Sequence, residues 1–86
     1  MITIVKQEQT CNMCPSQWDL WTEDGKYLYV RYRWGVLSID LADSVDHWNA
    51  NEHTLIFCEP IGDDLDGYMT LEELKEYTKD IFIWEC

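Results

Sequence analysis

Apolar and polar positions along this chain change period several times, and each change marks an element. Residues 2–8, ITIVKQE, alternate loosely and are rich in β-branched side chains, which predicts a first strand ending before a loop punctuated by Pro15. Two runs dense in aromatic and β-branched residues then flank Asp24-Gly25, a dipeptide suited to the positive backbone angles of a tight hairpin. In the second run the two-residue period puts Leu28, Val30, Tyr32 and Trp34 on one face, read as core, and Tyr27, Tyr29, Arg31 and Arg33 on the other. Gly35 lets the chain bend into VLSIDL, whose Leu37, Ile39 and Leu41 alternate with polar residues as the next strand of a meander.

Residues 42–53, ADSVDHWNANEH, are polar and read as a loop or one short helical turn. TLIFCEPIG predicts another strand, and Pro60 near its end marks an edge or terminus because proline donates no ladder hydrogen bond. From Thr70 the period becomes helical: Leu71, Leu74, Thr78 and Ile81 share a face, and Thr70 with Glu73 forms a capping box. The closing IFIWEC either extends that helix or forms a last strand. The expected fold is α+β: an antiparallel meander of about four strands with one C-terminal helix packed on one face.

At 86 residues there is length for one small domain, residues 1–86, and one core. A composition 47% hydrophobic and 14% aromatic is too apolar for a disordered acidic tail, despite a formal charge of −11. No stretch is long and apolar enough for a signal peptide or membrane span, so the expected location is the cytoplasm. The charge is uneven: residues 1–43 carry −2 and residues 44–86 carry −9. Such an excess disfavours nucleic acid and anionic membrane and favours a cationic protein partner. A plainer reading is that the acids only keep an aromatic-rich surface solvated.

Cys11 and Cys14 have the spacing of a zinc knuckle, two thiolates on a tight turn that fill two corners of a tetrahedron. Cys58 with either His53 or Cys86 would complete a closed, structural set of four, while the competing reading makes Cys58 a small buried hydrophobe. A thiol redox pair would need Cys11 at a helix start, and Pro15 and the following strand pattern speak against one. Residues 62–73 also align with a calcium loop, with Asp64, Asp66 and Glu73 at ligand positions, but Gly62 stands where the first ligand belongs. Arg31 and Arg33, beside Tyr29 and Tyr32, could stack on nucleic acid or pair with Asp19 or Asp40 across strands. No nucleophile has a local histidine-and-acid pattern and no glycine-rich phosphate loop occurs, so an enzyme is not expected.

The combination CPSQW, TEDGKYLYVRYRWG and LDGYMTLEEL, spanning Cys14 to Leu74, resembles small acidic proteins of bacteriophage and prophage genomes. In its size and charge the chain is also similar to the anti-CRISPR inhibitors such genomes carry, some of which, acting on the type II effector, contain zinc. That resemblance implies an inhibitor whose acids Asp63, Asp64, Asp66, Glu72, Glu73 and Glu76 dock on the basic channel of a Cas9-like CRISPR effector nuclease and exclude target DNA. Cys11 lies outside the CPSQW element.

Overall fold

The computed structural model describes residues 1–13, 15–62 and 67–86. Among these residues six strands form one curved sheet: β1 (Ile2–Cys11), β2 (Ser16–Thr22), β3 (Tyr27–Arg33), β4 (Val36–Ala42), β5 (His53–Pro60) and β6 (Phe82–Trp84). Helix α1 (Val45–Asn49) lies between β4 and β5, and α2 (Leu71–Tyr77) between β5 and β6. The spatial order is β5-β4-β3-β2-β1-β6, antiparallel throughout except for the parallel pair of β1 and β6.

This overturns the expected α+β fold of about four strands and a C-terminal helix: the protein is mostly β, a six-stranded mixed half-barrel with two short helices. Two local causes account for the difference. The polar half of β1 carries no apolar alternation, yet its backbone pairs with β2 as far as Cys11↔Gln17. The helix stops at Thr78, whose hydroxyl turns back to donate to the Leu74 carbonyl at 2.7 Å and accepts the Trp84 indole N–H at 3.0 Å. The chain is thereby released into a strand whose Phe82 is buried and whose Ile83 is exposed.

The local signals behind the other elements are physical ones. At the β2–β3 turn Gly25 takes φ +85°, the Thr22 hydroxyl donates to the Asp24 carboxylate, and the Lys26 N–H donates to the Thr22 hydroxyl at 2.8 Å. Helix α2 is opened by the capping box: the Glu73 N–H donates to Thr70 Oγ1, and the Thr70 N–H to Glu73 Oε1, each at 3.2 Å. Its first turn, Leu71 and Leu74, packs on the core face with Met69.

The core face gathers Ile4, Trp18, Leu20, Leu28, Val30, Tyr32, Leu37, Ile39 and Phe82. Ser16 is fully buried among them; its hydroxyl donates to the Asn12 carbonyl at 2.7 Å and accepts the Met69 N–H at 2.9 Å. Trp34 is not core as its two-residue spacing suggested. It sits in the β3–β4 turn at φ +57°, 56% exposed, because Trp34-Gly35 forms the two-residue connection of the hairpin.

Candidate functional site

The face of the sheet away from the core is not plainly solvated. Tyr27, which the period puts there, is buried, because α1 folds back over it. Ser44 caps α1 by accepting the His47 N–H, and the turn lays Trp48 against Tyr27, Tyr29 and His53, with ring centroids 5.8, 4.9 and 4.2 Å apart. Trp21 extends the cluster beside Tyr27 at 5.8 Å, with the Lys6 ammonium 4.6 Å from its ring centre. Around the rings Tyr27 donates to Asp19 at 2.5 Å, Gln17 donates to the Tyr29 hydroxyl at 2.6 Å, and His53 lies 3.4 Å from Asp40. Desolvation first, and then the Asp19 carboxylate, push the Tyr27 phenol well above its ordinary value; desolvation also raises Tyr29.

The strand register collects acids that are remote in sequence. Tyr27↔Ala42 and Ala42↔His53 put the β2–β3 turn and the β4–β5 connection at one end of the sheet. Glu23 and Asp24 thus share that end with Asp43, Asp46 and Glu52, all exposed. The Thr22 hydrogen bond holds the Asp24 carboxyl below its usual value, so it is firmly charged. Of fourteen described carboxylates twelve are exposed, against two of the six cations, Lys6 and Lys79. Lys79 is itself 2.8 Å from Glu76, whose hydrogen bond and charge raise its pKa. The five-acid end has no single sequence signature; the Asp24-Gly25 hairpin, followed through the strand pairing, is the only hint of it.

The predicted residues fall in several places. Cys14, Asp63, Asp64 and Asp66 lie outside the described residues. Glu72, Glu73 and Glu76 are exposed on α2, Glu73 with its carboxylate engaged in the capping box. Cys11 ends β1, its thiol 3.6 Å from the Met13 carbonyl, and no helix follows it. Cys58 is exposed on β5, four strand spacings of about 4.8 Å from β1. His53 stacks under Trp48, and Cys86 follows β6, beyond the pair Ile4↔Trp84. Among the described residues no three histidine, cysteine, aspartate or glutamate side chains converge to hold a metal ion.

One edge of the sheet is β5, which pairs only with β4 among the described residues and carries Leu55 and Ile56 facing solvent. A register shift between Ile39 and Asp40 bulges Ile56 out of its ladder. Among the described residues no helix is long and apolar enough to cross a membrane. No family model, no curated protein and no solved structure matches the chain.

Proposed function

We propose that the protein is an inhibitor of the phage type that binds a cationic host protein through its acidic surface, the concrete target being the basic nucleic-acid channel of a Cas9-like CRISPR effector nuclease. The observation that carries this reading is the sign asymmetry of the surface: nearly every described carboxylate faces solvent while four of the six cations are partly covered. A surface of one sign steers association with the opposite sign and repels phosphate backbones. The acids compete for the guanidinium and ammonium groups that hold the guide–target duplex, so occupancy excludes DNA without any chemistry by the inhibitor. The mechanism is steric and electrostatic, and acids held on turns and helices that are already folded are presented without a folding cost on binding.

The test is a competition assay in which the effector loaded with guide RNA is offered labelled target DNA with increasing amounts of this protein. Inhibition that weakens steeply with salt, and that is lost when Glu23, Asp24, Asp43, Asp46 and Glu52 are replaced by lysine, supports the reading. Unchanged DNA binding at low ionic strength with the protein in large excess refutes it.

A further inference from the structure

The two arginines of β3 stand apart from the rest of this acidic surface. Arg31 and Arg33 project from the same face, two residues apart on one strand, and neither makes an ion pair among the described residues. The expected pairing with Asp19 or Asp40 does not form, since Asp19 accepts from Tyr27 and Asp40 faces His53. Arg31 Nε is shielded from solvent and has no acceptor. A buried guanidinium N–H left unbonded costs free energy, and such an atom in a folded protein calls for an explanation.

Next to it the backbone carries a second anomaly. Trp34 occupies a left-handed conformation, φ +57°, which is sterically unfavourable for a bulky side chain and is usually given to asparagine at this position of a two-residue hairpin. The strained turn holds the indole out in solvent, and the Arg33 guanidinium lies over it, 4.9 Å from the ring centre. Val36 and Ser38 of β4 close the opposite wall of an open cleft of about 200 Å³ lined by Arg31, Arg33 and Trp34. That volume is below the roughly 300–1,000 Å³ of a small-molecule cofactor site and suits a single side chain.

We propose that the cleft of Arg31, Arg33, Trp34, Val36 and Ser38 binds a carboxylate presented by a peptide side chain. A carboxylate is planar and accepts two parallel N–H bonds from a guanidinium fork; with Arg31 Nε shielded from solvent, the donors that would meet it in the open cleft are the terminal Nη groups of Arg31 and Arg33. The aliphatic stem of a glutamate would lie on the Trp34 ring and Val36. A phosphate group carries more charge into the field of a chain with net charge −11 and is disfavoured on that ground. The site is independent of the five-acid end, which lies at the other end of β3.

The experiment is a nuclear magnetic resonance titration following the Arg31 Nε–Hε and Trp34 indole signals at constant ionic strength. The probes are a blocked glutamate-containing tetrapeptide, its glutamine counterpart, inorganic phosphate and sodium chloride. The expected result is a saturable shift at both signals with the glutamate peptide, about tenfold tighter than with the glutamine peptide, and weakened about tenfold by Arg31→Gln and by the more peripheral Arg33→Gln. Equal binding of the two peptides, tighter binding of phosphate, or a response no different from chloride overturns the proposal. Arg33→Gln keeps the test decisive if Arg31→Gln disturbs folding.

Discussion

The Ser16 hydroxyl accepts the backbone N–H of Met69 at 2.9 Å, a buried bond between residues 53 apart in sequence. It ties the segment entering α2 to the start of β2, while the same hydroxyl donates to Asn12 in the β1–β2 connection. Three parts of the chain meet on one oxygen. Ser16→Ala leaves the Met69 N–H buried and unpaired, and the expected loss is about 1–3 kcal/mol in urea unfolding. A loss below a few tenths would mean that the N–H finds another acceptor.

Alkaline pH is expected to weaken the fold through Tyr27 and Tyr29. Both phenols have folded-state values raised above 10.0, chiefly by desolvation, and Tyr27 also by its bond to Asp19. Above about pH 10 the unfolded chain releases these protons while the folded chain keeps them, so the unfolded state binds fewer protons and stability falls as pH rises. Below that pH the two states bind these protons alike and the effect vanishes. Melting temperature measured from pH 8 to 11 should drop more steeply for the parent protein than for Tyr27→Phe.

Trp48 is the roof of the outer aromatic cluster. Removing it by Trp48→Ala exposes Tyr27 and deprives His53 of its ring neighbour, with an expected cost of about 1–3 kcal/mol for a side chain only partly buried. The ring protons of His53, 4.2 Å from the indole between centroids, should at the same time lose their ring-current shift. An unchanged His53 spectrum would show that α1 does not pack on the sheet in solution.

Thr70 and Glu73 can be separated by substitution. Thr70→Ala removes the cap of α2 and should cost about 1 kcal/mol, whereas Glu73→Gln keeps a box-forming side chain while deleting a charge and should be near neutral in stability. Thermal unfolding of the two variants checks the contrast. Glu73→Gln also reports on charge-dependent partner binding without disturbing the helix.

What could be read beforehand followed from local chemistry. The Asp24-Gly25 turn, the alternation of Leu37, Ile39 and Leu41, the edge position implied by Pro60 and the capping box of α2 each act over a few residues and appear where their signals stand. Three features were hidden because they depend on tertiary pairing. The polar half of β1 is a strand because β2 supplies its hydrogen bonds, not because of any apolar pattern. Tyr27 is buried from the supposedly wet side because α1, forty-odd residues into the chain, folds over it. Trp34 keeps the core-facing parity of β3 but falls in a turn, where parity no longer assigns a face. The acidic end was illegible for the same reason: its members come from segments about twenty residues apart, united only by strand register.

The parallel pair of β1 and β6 sets an order of events during synthesis. Strand β1 finds β2 at once, through a short connection, but its other side waits for Phe82, Ile83 and Trp84, which are made about seventy residues later. Until then the nascent sheet has two bare margins, β5 and β1, and lacks the Leu74 and Phe82 side chains that cover its apolar face. The segment from Thr70 to Trp84 therefore arrives as lid and border together, and a chain stalled before it would be the aggregation-prone form of this protein.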